Sequence, residues 1–305
     1  MPKILLSLCI PTNGVDSVFQ VLDSIYSQGE DDSLFEVVVA DNGNNEEFKK
    51  KMLEHSKLYK NLVYKQNNAN GFLNGNEAYK VASGEFIKFI NHRTTLKEGS
   101  LGKFISFVKD NIANKPAVYF LNGELKLKDT NVYPNFDLFV RGLKNYSSWS
   151  TGIAFWKEDF EKISDFSSFN PLFPHTGVLF SERHKNTYII DNRVLLYEIP
   201  ASQKNKGKYD IFKAFAVEYP TIIKGLFESG DITAKTLDII NKANQKFLGQ
   251  IYFDFIIRKH ECSYDLSSFE ESVKVYYSAK TIKRLARRYG FKRVLAKLCF
   301  WKKTI

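Results

Sequence analysis

The sequence predicts an α/β protein: a mostly parallel, doubly wound sheet flanked by helices, followed by a helical C-terminal region. Two observations predict it. Over the first half of the chain, short apolar runs alternate with longer amphipathic ones, the order of strands joined by crossover helices. After Pro200 the strand-like runs stop and helical periodicity continues alone. At 305 residues there is room for one sizeable core and an accessory region.

Taken in order, the strands are expected at Ile4–Ile10, Phe35–Asp41, Asn61–Lys65 and Glu85–Ile90, with helices at Asp16–Gln28, Asn45–Leu58 and Gly71–Ser83 between them. Ala117–Leu121 extends the sheet, as does a pair, Thr187–Ile190 and Arg193–Ile199, around the turn Asp191-Asn192. The polar, lysine-rich stretch after Pro200 marks a boundary near residues 203 to 209. The reading is therefore a body over residues 1–203 and a helical region over 204–305. In the latter, Ile211–Ser229 and Ile232–His260 carry helical periodicity.

Composition narrows the function classes. Cys9, Cys262 and Cys299 are odd in number and widely separated, which predicts a reduced, cytoplasmic setting and no zinc site. The apolar run Ile4–Ile10 stops at Pro11 and reads as a strand, not a leader. No apolar stretch is long enough to span a bilayer. The formal charge of +10 is local: Ser272–Ile305 holds 11 Lys or Arg and no Asp or Glu. No nucleic-acid module accompanies that charge, so a nucleic-acid partner is not expected. No G-x-G-x-x-G follows the first strand, which argues against a dinucleotide-dependent oxidoreductase.

In a doubly wound sheet, ligands bind beyond the carboxyl ends of the strands, where loops converge and helix N-termini point at the crevice. Three corners fall there: Pro11-Thr12-Asn13, Asp41-Asn42-Gly43 and Asn91-His92-Arg93. Asp41 suits a base N–H or a ribose hydroxyl, and equally a turn, since Asp-Asn-Gly is a strong turn sequence.

The order of these motifs resembles the nucleotide-sugar-dependent glycosyltransferases of family 2, with their Rossmann-like GT-A fold. "LSLCIPTNG" is similar to the family's opening strand and Pro-Thr turn, and "FEVVVADNGN" to its second strand and acidic turn. "NNANGFLNGNEAYKVASGEFIKFI" resembles its Asn-rich helix and the strand leading to the metal site. Asn76 and Asn68 stand eight and sixteen residues before Gly84, as in the family pattern. The resemblance covers about the first hundred residues well and fades by about residue 200.

It implies that Pro11, Thr12, Asp41, Asn68, Asn76, Asn91 and Arg93 surround the donor nucleotide. The family's acidic pair, which binds Mg or Mn and through it the diphosphate, falls on Asn91-His92-Arg93. Three readings stand side by side. Arg93 supplies the positive charge directly; Asn91 and His92 ligate a divalent ion weakly; or the loop has lost catalytic competence, leaving a glycan- or nucleotide-binding protein. No metal ligand is firmly expected.

By the same resemblance, Trp149 and Gly152 in "SSWSTGIAFW" mark the donor-sugar and acceptor segment. The family's acidic base falls near His175, with Glu182 two helical turns on as its partner or substitute. His175 also reads as a capping or packing residue; Glu158 and Asp159 are also available as a base, and read as the solvated start of a helix. The implied activity is an inverting transfer from a nucleoside-diphosphate sugar to a hydroxyl of a bacterial cell-surface glycan or lipid-linked oligosaccharide.

The tail interleaves Lys and Arg with Ile282, Leu285, Phe291, Val294, Leu295, Leu298, Phe300 and Trp301, and Gly290 is expected to split it into two short helices. Such a stripe suits the anionic inner face of the cell membrane, making a peripheral protein. It equally suits docking onto the body or onto a second copy as a homodimer.

Overall fold

A computed structural model describes residues 3–200 and 207–301, with side chains described up to Val294. By its internal contacts the chain divides into two compact units, Met1–Pro200 and Ala201–Ile305.

The first unit opens with the expected alternation. β1 (Leu6–Thr12), α1 (Ser17–Tyr26), β2 (Phe35–Asp41), α2 (Glu46–Leu58), β3 (Leu62–Gln66), α3 (Asn74–Val81) and β4 (Phe86–Phe89) follow one another. β1 to β4 are parallel, in the order β3-β2-β1-β4. Every residue of β2 is buried, as a strand covered by helices on both faces must be. Local chemistry sets the helix ends: the Asn45 side chain accepts from Phe48 N (3.1 Å) at the start of α2, where Glu46 and Glu47 complement the helix dipole.

Then come β5 (Thr94–Leu96), α4 (Ser100–Asn111), β6 (Ala117–Phe120), β7 (Thr130–Tyr133), α5 (Phe136–Leu143), β8 (Ile153–Trp156), α6 (Lys157–Glu161), α7 (Pro174–Ser181), β9 (Tyr188–Asp191) and β10 (Leu196–Glu198). The eight-stranded sheet has the order β3-β2-β1-β4-β8-β6-β9-β7. β8 runs antiparallel to both β4 and β6, so these two share a direction. The carboxyl ends of β1, β2, β4 and β6 therefore lie on one edge, together with the loop that enters β8. Around the middle strands the core is aromatic: Phe86 packs on Trp156 (4.9 Å between ring centroids) and on Phe107 (5.5 Å). Each such buried ring contributes about 1.5–3 kcal/mol.

One expectation fails here, and one strand falls outside every expectation. The run Arg193–Ile199 does not extend the sheet beside β9; β10 leaves it and pairs antiparallel with β5 in a separate ribbon, Thr94 opposite Glu198. β7, polar and half exposed, carries no apolar alternation and was not anticipated.

The second unit is helical among its described residues: α8 (Ile211–Lys213), α9 (Tyr219–Glu228), α10 (Ala234–Ile251), α11 (Phe269–Val273) and α12 (Ala279–Trp301). A π-helical stretch, Ala214–Glu218, joins α8 to α9, and the buried Asn244 side chain donates to the Phe215 carbonyl there (2.7 Å). α12 is continuous through Gly290, contrary to the expected break. A Cβ at Gly290 would lie 2.3 Å from the Phe253 ring, so this glycine serves close packing, not a turn. Leu295, Leu298, Phe300 and Trp301 lie outside the described side chains.

Candidate active site

One side of the crevice is built by β1, β2, β3 and α3. Asp41, 1% exposed at the tip of β2, accepts from Gly43 N (2.8 Å) with one oxygen and from the Tyr64 hydroxyl (2.8 Å) with the other. Desolvation and the bond to Asp41 raise the Tyr64 pKa, so the phenol stays protonated and donating. Asn74 braces the two corners: its amide donates to Thr12 O (2.8 Å) and Ala40 O (3.0 Å) and accepts from Asn67 (2.8 Å). Gly43 lets the corners touch, since a Cβ there would sit 2.3 Å from Asn13 O. Thr12 is buried and its hydroxyl accepts from Gly14 N (3.2 Å), while Pro11 is half-buried. Asn76 is buried on α3 and Asn68 is exposed in the loop before it.

At the tip of β4, Asn91, His92 and Arg93 are each half-buried. The Asn91 side-chain oxygen accepts from Arg93 N (3.0 Å), and the His92 Nδ1 meets Pro11 O (3.1 Å). A carbonyl only accepts, so Nδ1 carries the proton and Nε2 is left with a lone pair. That Nε2 is buried and has no partner among the described residues. Burial, above all, lowers the His92 pKa.

The other side of the crevice rests on a buried lysine. Lys88 of β4, 0% exposed, donates to Phe89 O (2.8 Å), Thr151 O (2.6 Å) and Ile153 O (3.3 Å). It ties β4 to the loop that enters β8, and desolvation pulls its pKa down to about 7. Tyr119 of β6 secures the same loop, its hydroxyl donating to Tyr146 O (2.6 Å) and Trp149 O (2.9 Å). Gly152 lies flat on the Tyr119 ring, where a Cβ would come within 2.1 Å.

Between this loop and the β5/β10 ribbon opens a cavity of about 70 Å³. Thr94, Glu124, Tyr146, Trp149, Thr151 and Glu198 are among its lining residues. Asn122, in a left-handed turn (φ 57°), fixes the ribbon by accepting from Leu195 N and Leu196 N (2.8 and 2.9 Å). Burial and the nearby Glu198 raise the Glu124 pKa, while the Tyr146 hydroxyl, 3.5 Å away, lowers it.

One comparison with known proteins decides the family. The sequence profile described as "Glycosyl transferase family 2" matches residues 7–167, which run from β1 past α6. The chain belongs to glycosyl transferase family 2. It is a glycosyltransferase.

Solved structures of low identity share the GT-A fold with this family 2 transferase. One is the 1–349 fragment of S. aureus TarS in complex with UDP-GlcNAc (17% identity, TM-score 0.57, covering 83% of this chain and 73% of that one). Another is the mannosyltransferase PcManGT from Pyrobaculum calidifontis in complex with GDP-Man and Mn2+ (14% identity, TM-score 0.53, covering 95% and 80%). A second S. aureus TarS structure (15% identity, TM-score 0.50) is matched over 83% of this chain and 44% of that one. No curated protein matches the chain.

A family 2 transferase implies a divalent metal at the tip of β4. The residues present do not fit one. Asn91 already spends its oxygen on the turn, Arg93 is a cation, and the remaining donor is a single imidazole nitrogen. Magnesium and manganese favour several oxygen ligands, preferably carboxylates. No group of three or more His, Cys, Asp or Glu among the described residues is arranged to hold a metal ion.

The structure separates the two residues that the sequence nominated for proton transfer. α7 crosses from one sheet edge to the other, so His175 at its start and Glu182 at its end face different edges. His175 is 9% exposed, and its Nε2 donates to Ser148 O (2.8 Å). Desolvation pulls its pKa down to about 4, making it a weak base that braces the loop before Trp149. Glu182 does not reach the crevice. Its backbone carbonyl accepts from the Tyr188 hydroxyl at the amino end of β9, and its carboxylate lines a cavity of about 560 Å³ with Asp159 and Lys185. His175 came from the resemblance and Glu182 from helical spacing, and neither says which edge a short helix ends on.

The sequence reading also missed Asn74, Tyr64, Lys88, Glu124 and Glu198. Glu124 follows a strand tip in "FLNGE", so the strand-end rule applied to β6 finds it once that strand's direction is known.

Proposed function

We propose that this glycosyltransferase moves a sugar from a nucleoside-diphosphate donor to a hydroxyl of a bacterial cell-surface glycan or lipid-linked oligosaccharide, with inversion and without a divalent metal. The observation that carries the reading is the exchange of carboxylates for a guanidinium at the tip of β4, beside an intact, buried Asp41 corner. As the glycosidic bond breaks, negative charge grows on the departing diphosphate, and Arg93 offers it a planar, permanently charged partner. Asp41, its carboxylate held by Gly43 N and the Tyr64 hydroxyl, shapes the corner that takes the base and ribose, with Pro11, Thr12, Asn68, Asn76 and Asn91 around it; Trp149 and Gly152 border the sugar. The ligands named for the TarS fragment and PcManGT, UDP-GlcNAc and GDP-Man, support a donor of this class.

In this reading, residues 1–203 act as the transferase domain and 204–305 as an accessory region that holds the enzyme at the cytoplasmic face of the membrane. On α12, Arg284, Arg287, Arg288 and Lys292 are exposed beside Phe291 (66%) and Val294 (56%), a cationic face with apolar anchors suited to anionic headgroups. No helix among the described residues is long and apolar enough to cross a membrane. The loss of carboxylates also favours a second reading, a non-catalytic glycan- or nucleotide-binding protein.

The test is thermal stabilisation and turnover with UDP- and GDP-sugars, with and without EDTA. Protection and turnover that survive chelation are expected, and Arg93→Ala should lower turnover on the order of 10²-fold with a small change in Tm. Activity abolished by EDTA and restored by Mn2+ would remove the arginine from this role. Donor protection without any turnover would support the second reading.

A further inference from the structure

We propose that Glu124 is the catalytic base of this transferase, receiving the proton of the attacking hydroxyl in the cavity between Trp149 and the β5/β10 ribbon. This rests on the transfer reading above and names the group that reading lacks. An inverting displacement needs a base on the acceptor side of the anomeric carbon. The two residues the sequence offered are poorly placed: His175 is buried with its pKa drawn down to about 4, and Glu182 faces the other edge.

Three features converge on Glu124. It follows the tip of β6, on the same sheet edge as Asp41 and Asn91, but on the far side of the loop that carries Trp149 and Gly152. It lines the cavity with Trp149, Tyr146, Thr94 and Thr151, two aromatic rings and two hydroxyls of the kind that border a sugar. At about 70 Å³ the space admits the hydroxyl-bearing edge of a sugar ring, given ~15 Å³ per water by the same measure. Its neighbour Glu198 shares the cavity and the Tyr146 hydroxyl stands 3.5 Å from one carboxylate oxygen, so the acid sits between a like charge and a donor. Glu124 is solvent-exposed, and its partial desolvation together with Glu198 raises its pKa, which makes the carboxylate a stronger base.

The step balances without a further reactant. The acceptor O–H gives its proton to a Glu124 oxygen, the acceptor oxygen forms a bond to the anomeric carbon, and the carbon–oxygen bond to phosphate breaks. Its electron pair leaves on the nucleoside diphosphate beside Arg93. Glu124 then returns its proton to water. Glu198 acts through Glu124 as a positioning residue.

Water serves as the acceptor in the test, so hydrolysis of UDP-GlcNAc or GDP-mannose is measured alongside their thermal protection of the full chain. Glu124→Gln should keep donor protection and lose hydrolysis by about 10²–10⁴-fold. Glu198→Gln should move the acidic limb of kcat/KM to lower pH, an effect that a merely structural carboxylate would not produce. Hydrolysis within a few-fold of wild type in Glu124→Gln, or an unmoved limb in Glu198→Gln, overturns the assignment alone. A wild-type chain that neither binds nor hydrolyses any donor overturns the transfer reading and this assignment with it.

Discussion

Replacing Lys88 with methionine removes a cation from the centre of the sheet while keeping a chain of similar volume. In the native protein burial lowers its pKa from 10.5 to about 7. Between those values the unfolded chain holds a proton that the folded protein lacks, so stability rises with pH across that window. At about 1.4 kcal/mol per pH unit, less near the two ends, Lys88 alone adds about 2.5 kcal/mol between about pH 7.5 and 9.5. Cys9 and Tyr79, fully buried with raised pKa values, pull in the opposite direction, but they do so in both proteins and cancel in the difference. The assay is urea unfolding followed by the fluorescence of Trp149 and Trp156, both in the first unit. The wild-type midpoint should gain about 1 M relative to Lys88→Met over this range. Equal slopes in the two proteins would mean that Lys88 keeps an ordinary pKa and that its three carbonyl contacts are those of a permanently charged ammonium.

Gly152→Ala places a methyl group 2.1 Å from the Tyr119 ring and should cost about 1–3 kcal/mol while loosening the Trp149 loop. Turnover should fall more than donor affinity, and unchanged stability and turnover would show that the ring is free to move aside. Glu182→Gln should raise Tm at neutral pH without changing turnover. Burial, then Asp159, raises the Glu182 pKa well above 4.5, so its carboxyl destabilises the fold as pH rises and the amide escapes that penalty. The difference in Tm should close near pH 4, and loss of turnover would return Glu182 to the crevice.

The parallel half of the fold was legible because each strand from β1 to β4 is a short apolar run closed by a turn, and each crossover is long enough to be a helix. β5 and β7 were not, because Thr94–Leu96 and Thr130–Tyr133 are brief, partly polar and held by partners distant in sequence. The corners after β1 and β2 were visible as strand tips, although the brace between them is Asn74, not Asn68 or Asn76, since among these its side chain reaches two strand-end carbonyls. The proposed base, Glu124, was invisible for a different reason: β8 reverses direction between β4 and β6, and no local pattern states which edge a later loop will join. Gly290 misled because helix interiors disfavour glycine unless a neighbour needs the space, and that neighbour, Phe253, lies 37 residues away.

The β5/β10 ribbon joins what the chain order keeps apart. Ile199 N donates to Arg93 O (2.7 Å), and Thr94 stands opposite Glu198. Arg93, proposed to meet the leaving group, and Glu198, proposed to act beside the attacking one, thus grow from a single hydrogen-bonded ladder. Displacing Arg93 outward would drag Glu198 along with it, so in the proposed reaction bond breaking and proton removal would answer to the same few peptide groups.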